Sequence, residues 1–248
     1  MLIDENQGYL SIKELLSPFA VRQFKLWAMN PDNIHRGNAV NGEYYGKHRK
    51  GREYNICWSK QPPREMWDPI VDKLTSPLNA MFKGKQWDMH IVDTITTRPG
   101  QSKIRAHVDT PYRFEDFARS TNDELFGVQI IVPLDNFTIE NGATCILPGS
   151  HKDRFYYQDI QDNQEEYNHL LTSKGFQFVS KAGDALIYNS RTLHSTMPNN
   201  SDHFRSALLM NALDVNIIER IREIDYNTKT ARKKKKWRKT WQTATFGV

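Results

Sequence analysis

From Leu10 to Asn30 the segment LSIKELLSPFAVRQFKLWAMN sets apolar residues at Leu15, Leu16, Phe19, Val21, Phe24, Trp27 and Ala28. That three-to-four-residue recurrence is the mark of a helix with one buried stripe. Ser17-Pro18 offers a hydroxyl cap followed by a proline in the first turn, where a missing N–H costs nothing, so the main helix is predicted to begin there. The polar, glycine-bearing stretch HRGNAVNGEYYGKHRKGREYN comes next, with the composition of an exposed, mobile loop. Pro62-Pro63 then precedes a second helix, predicted over roughly Arg64 to Phe82 and expected to bend or break at Pro77.

The pattern changes at Gln86. WDMHIVDTITTRPG, IRAHVD, LFGVQIIVPLDNF, GATCILPGS, GFQFVSKAGDALIYNS and FRSALLMNALDV follow at short intervals, rich in Val, Ile, Thr and aromatics and divided by Gly, Pro and Asn turns. Many short strands punctuated in this way predict a sandwich or barrel rather than a parallel α/β sheet. There is no internal repeat and no linker between two halves. One domain is therefore expected over 1–228, with helices in about 1–85 and a β core in about 86–216, leaving 229–248 as a tail.

Composition adds little until charge is located. The chain has 248 residues, 38% hydrophobic and 25% charged, which suits a water-soluble globular protein. It has no apolar run long enough for a transmembrane helix, and its N-terminus lacks a basic region followed by an apolar one. Cys57 and Cys145 lie far apart and form no CxxC pair, which fits a reducing compartment, so a cytoplasmic location is expected. The segment Lys229–Lys239, KTARKKKKWRK, carries eight basic residues, more than the whole net charge of +5, so the remainder is mildly acidic. Such a tail can draw an anionic partner without specificity, or can simply be a solvated terminus. The body offers no broad nucleic-acid-binding surface.

The chemistry concentrates in three places. In IRAHVDTPY, His107 and Asp109 stand two residues apart, so on an extended segment both side chains face one way with Val108 opposite. His194 follows the strand-like run ALIYNS in GDALIYNSRTLHSTMPNN. Arg205 opens the apolar run that begins after the next turn, and the spacing predicts that His194 and Arg205 occupy neighbouring antiparallel strands. Two histidines and one carboxylate are the facial triad of mononuclear non-haem iron oxygenases, with three coordination positions left open. A buried arginine farther in suits a distal carboxylate, because its planar fork bonds both oxygens. Fe(II) with such an arginine implies a cosubstrate with two acidic ends, and 2-oxoglutarate fits.

HVD at 107–109, ENGATCILPGSH at 140–151 and GDALIYNSRTLHSTMPNNSDHFR at 183–205 together resemble the phytanoyl-CoA dioxygenase superfamily of Fe(II)/2-oxoglutarate-dependent oxygenases. The resemblance runs over roughly Trp87 to Val215. It implies a mainly β fold with flanking helices, a double-stranded β-helix or jelly roll. It also implies that His107, Asp109 and His194 bind iron, and that Arg205 holds 2-oxoglutarate, with help from a hydroxyl at Thr196. Gln129, and Met89 on the first β strand, would line the cosubstrate pocket. Ile131 stands where the family often has tryptophan. The carboxylate of Asp109 favours hydroxylation of a small-molecule substrate by dioxygen, with release of succinate and carbon dioxide, over halogenation. The alternatives are a jelly roll that binds without catalysis, or an oxygenase that its tail directs to an anionic partner. Segments 36–55 and 152–175 are each either a lid over the site or a solvated excursion.

Overall fold

A computed structural model describes residues 6–36, 46–47, 53–54, 56–102, 104–120 and 124–224. The basic tail and most of the 36–55 loop lie outside these residues. Among the described residues, no helix is long and apolar enough to cross a membrane.

The strands are β1 (Tyr9–Ile12), β2 (Ile34–Arg36), β3 (Gly46–Lys47), β4 (Glu53–Tyr54), β5 (Ile56–Ser59), β6 (Trp87–Thr97), β7 (Gly127–Pro133), β8 (Thr144–Ile146), β9 (Phe176–Gln177), β10 (Ala185–Asn189), β11 (His194–Thr196) and β12 (Arg205–Asp214). The helices are α1 (Pro18–Met29), α2 (Arg64–Met81), α3 (Glu115–Ala118), α4 (Tyr157–Asp162) and α5 (Gln164–Lys174), and residues 215–224 are also helical. A seven-stranded antiparallel sheet, β1-β10-β7-β12-β6-β5-β2, faces a three-stranded sheet, β11-β8-β9. This is the jelly roll expected from the turn-divided runs after Gln86, with α1 and α2 layered on the large sheet.

Alternation along the strands sorts the large sheet into two faces. Val128, Ile130, Val132, Leu208, Met210 and Ile187 pack on the helical layer, against Phe24 and Ala28 of α1 and Ile70, Leu74 and Leu78 of α2. Each such fully buried aliphatic side chain contributes about 1.5–3 kcal/mol by leaving water. The residues between them, Ile131, Leu209, Ala207, Leu186 and Tyr188 with Ile95, point inward to meet Phe137, Ile146 and Phe178 of the opposite wall.

Ser17 caps α1 as predicted, its Oγ accepting from the Ala20 N–H at 3.3 Å. Phe19, counted in the predicted apolar stripe, is instead 72% exposed. Leu10 belongs to no helix either: Tyr9–Ile12 is an edge strand paired with β10, a partner that no local pattern announces. Pro77 does not break α2, and neither does Pro69. Each removes one hydrogen bond on the outer side, while Trp67, Ile70, Leu74, Leu78 and Met81 hold the helix down along its buried stripe. His194 and Arg205 are not on neighbouring strands, because β11 lies in the small sheet and β12 in the large one. The turn between them crosses from one sheet to the other. Gly142 sits under that crossing at φ +77°, where a Cβ would come within 2.2 Å of the Met197 carbonyl oxygen, so only glycine fits.

Candidate active site

Backbone hydrogen bonds bring the two histidines together. The His107 N–H donates to the His194 carbonyl and the His194 N–H donates back, both at 3.0 Å. This single bridge lays residues 104–109 along the edge of β11, so the segment is extended without being the full strand expected from its sequence. One rung on, the Asp109 N–H donates to the Ser190 carbonyl at 2.9 Å. The alternation expected of His107 and Asp109 survives, and Val108 turns away into a separate apolar cluster with Tyr112, Phe117 and Leu193.

Helix α5 braces the other side of the segment. Asn168 accepts from the Ala106 N–H at 2.9 Å and donates to the Ile104 carbonyl at 3.1 Å. Gln164 donates to the Ala106 carbonyl at 3.0 Å. Residues 152–175 thus include a buttress for the strand that carries His107, which neither reading of that stretch anticipated. Asn168→Ala leaves a backbone donor and acceptor without these partners and is expected to cost about 1–3 kcal/mol. For a chain of this size that is a fall of roughly 2–4 °C in melting temperature per kcal/mol.

Both imidazoles are oriented by their outer nitrogens. His107 Nδ1 lies 2.7 Å from the Arg105 carbonyl oxygen and His194 Nδ1 lies 2.9 Å from that of Thr192. A carbonyl can only accept, so Nδ1 of each ring is the donor there and Nε2 faces inward. The ring centroids are 4.2 Å apart, and beside them Asp109 places Oδ2 at 3.2 Å from His194 Nε2 and Oδ1 at 3.8 Å from His107 Nε2. One ligand atom from each of the three residues falls within 4.8 Å of the others. Arg113 Nη2 donates to Asp109 Oδ1 at 3.0 Å and fixes the plane of the carboxylate. Side-chain exposure is 28% for His107, 15% for Asp109 and 6% for His194, so the group opens to solvent on the His107 side.

The charges suit a cation. Burial, reinforced by the facing His194, lowers the His107 pKa to about 3, so its ring is neutral at neutral pH. Burial alone would raise the Asp109 pKa, but His194 and Arg113 outweigh it and hold the carboxyl well below its usual range, ionised. Two imidazoles and one ionised carboxylate, with the outer ring nitrogens engaged by carbonyls and the inner ones turned toward Asp109, fit a divalent ion of the Fe(II) type.

Arg205 enters the inner face from β12, opposite Thr97 of β6. It is 1% exposed, its Nη2 donates to Thr97 Oγ1 at 2.8 Å, and its guanidinium lies 4.6 Å from the Phe137 ring centroid. Nε and Nη1 have no hydrogen-bond partner among the described residues. Burial lowers its pKa to about 10, partly offset by Asp135, which leaves it cationic at neutral pH. A buried cation with two donors unmet fits an incoming carboxylate.

Thr97 supplies a hydroxyl beside Arg205, and Thr196, expected in that role, lies on β11 two residues from His194 and so on the same face, its backbone paired with Thr144. Gln129 is buried on the inward face of β7, between Tyr188 and Asn211. Met89 is turned away from the pocket and packs on the helical layer. A bulge opposite Asn211 and Ala212 shifts the phase of β6, so that Ile95 faces in while Met89 faces out. Ile131, at the position where tryptophan was anticipated, fills the inner wall with Ile95 and Leu209. Thr97 and Asn168 carried no signal in sequence, since each meets its partner through distant pairing. Arg113 was within reach as the residue four beyond Asp109.

Three comparisons place this arrangement among known proteins. Dioxygenase cdmD of Talaromyces verruculosus is 30% identical over 129 residues, covering 51% of this chain and 39% of its own. Dioxygenase lolE1 of Epichloe uncinata is 31% identical over 159 residues, covering 62% of this chain and 58% of its own. The chain thus spans less than two thirds of either relative. Among solved structures, HygX of Streptomyces hygroscopicus with nickel and 2-oxoglutarate bound superposes with a TM-score of 0.63 at 15% identity, over 86% of this chain and 85% of that one, and so shares the fold. The model of the family described as phytanoyl-CoA dioxygenase (PhyH) matches residues 5–207, and to that family this chain belongs.

Proposed function

We propose that this chain is an Fe(II)/2-oxoglutarate-dependent oxygenase that hydroxylates a small-molecule substrate, with His107, Asp109 and His194 as metal ligands and Arg205 as the anchor of the cosubstrate. The observation that carries the proposal is the pairing of an inward-facing His-Asp-His group with a buried arginine whose Nε and Nη1 lack partners. Family membership supports it, as do the dioxygenase relatives and the fold shared with HygX.

When bound, the iron would let dioxygen oxidise two partners, one oxygen atom going to the 2-oxo acid as it becomes succinate and carbon dioxide and the other turning a substrate C–H bond into C–OH. The protein's part is arrangement. Carbonyls of Arg105 and Thr192 hold both imidazoles at one tautomer, and Arg113 keeps Asp109 from turning. Arg205 and Thr97 receive the distal carboxylate in a wall of Ile95, Ile131 and Leu209 that excludes water and strengthens each charge-assisted hydrogen bond. The more exposed His107 side is left for substrate.

Anaerobic addition of 2-oxoglutarate to the Fe(II)-loaded protein is expected to raise the weak visible charge-transfer band of a chelated 2-oxo acid. A folded protein that binds Fe(II) or 2-oxoglutarate without that band would instead be a jelly roll put to binding.

A further inference from the structure

Tyr188 lies near the end of β10 with its ring centroid 4.9 Å from that of His194, and it is 0% exposed. Its phenolic oxygen has no hydrogen-bond partner among the described residues. Native proteins leave few buried hydroxyls unpaired, because the water given up is not replaced.

The side chains level with it do not meet the need. In the register across the sheet, Tyr188 stands beside Gln129, which stands beside Asn211. Asn211 spends its amide nitrogen on the Val128 carbonyl at 3.1 Å and on Ser190 Oγ at 3.2 Å. Asp109 has one oxygen engaged by Arg113 and the other turned to His194. A phenol carries one O–H donor at neutral pH, and that of Tyr188 is turned into the buried interior beside His194. A donor beside the His-Asp-His group, with no acceptor among the described residues, calls for an acceptor brought by a ligand. The distal carboxylate of a 2-oxo acid is met elsewhere, by Arg205 and Thr97. What remains beside His194 is the other end.

We infer that Tyr188 donates its phenolic O–H to the metal-proximal carboxylate of the bound 2-oxo acid, a contact beyond the three metal ligands and the distal arginine. The inference rests on the oxygenase reading above. Hydrogen bonding to that carboxylate holds the chelate in one orientation and withdraws charge from it, so both affinity and band energy depend on the phenol.

Tyr188→Phe tests this, since it keeps the ring against His194 and removes only the hydroxyl. Anaerobic titration of the full chain with Fe(II) and 2-oxoglutarate is expected to give about tenfold weaker 2-oxoglutarate binding, equivalent to about 1.4 kcal/mol, with a shifted band. Fe(II) binding without 2-oxoglutarate should be unchanged. The metal-free variant should melt no lower than the parent, because Phe loses a hydroxyl that had no protein partner. Unaltered 2-oxoglutarate affinity and band energy would overturn the inference, as would a metal-free variant that melts several degrees lower, the sign of a structural hydrogen bond. A parent protein that shows no band would overturn the oxygenase reading itself, whatever the variant does.

Discussion

His194→Ala is expected to abolish the visible band and to weaken Fe(II) binding by roughly a hundredfold or more, beyond what loss of a residue supporting a ligand costs. The variant should nevertheless fold. The reciprocal bridge between positions 107 and 194 is made by backbone atoms, and the Asp109 N–H bonds the Ser190 carbonyl, so the frame holding His107 and Asp109 does not depend on the imidazole. What disappears is the inward-facing nitrogen 3.2 Å from Asp109. His203→Ala is the control, because its side chain is 84% exposed and pairs with Asp202 on the surface. Equal Fe(II) affinity in the parent and His194→Ala, with both folded by circular dichroism, would remove the histidine from the metal centre.

Where a feature was set by neighbours in sequence, it was legible. Ser17-Pro18 marks the start of α1 because capping is settled within one turn. The runs after Gln86 read as strands because β-branched and aromatic residues bounded by Gly, Pro and Asn turns are local signals, and His107 with Asp109 read as a pair because alternation needs only two residues. Features set by pairing across the chain were not. Tyr9–Ile12 becomes a strand only because β10 offers an edge, and Pro69 and Pro77 are tolerated only because the other side of α2 is buried. Met89 was assigned to the wrong face for want of one bulge. Tyr188 and Thr97 are ordinary strand residues until the register sets one against His194 and the other against Arg205. The His-Asp-His group was thus visible in sequence, while the residues surrounding it depend on tertiary register.

Arg205→Met is expected to separate cosubstrate binding from stability. Arg205 is fully buried and charged, with Nε and Nη1 unpartnered among the described residues, and its lowered pKa of about 10 says that the folded site disfavours the charge. A methionine of similar length fills much of the same space against Phe137 and relieves that desolvation. The change forfeits one hydrogen bond to Thr97, worth about 1 kcal/mol. It does not strand an acid: Asp135, the nearest opposing charge, keeps its ion pair with Lys25 and accepts from the Ser206 N–H at 2.9 Å. The metal-free variant should therefore melt within a few degrees of the parent, or above it. Its 2-oxoglutarate affinity, however, should fall by roughly a hundredfold, because a charge-assisted, two-point contact with the distal carboxylate is gone, and Fe(II) binding alone should be unaffected. A large drop in melting temperature with 2-oxoglutarate affinity intact would make Arg205 a structural cation. The expected outcome, a stable protein that binds Fe(II) and no longer captures 2-oxoglutarate, would mean that the burial of an under-partnered arginine is maintained for its ligand rather than for the fold.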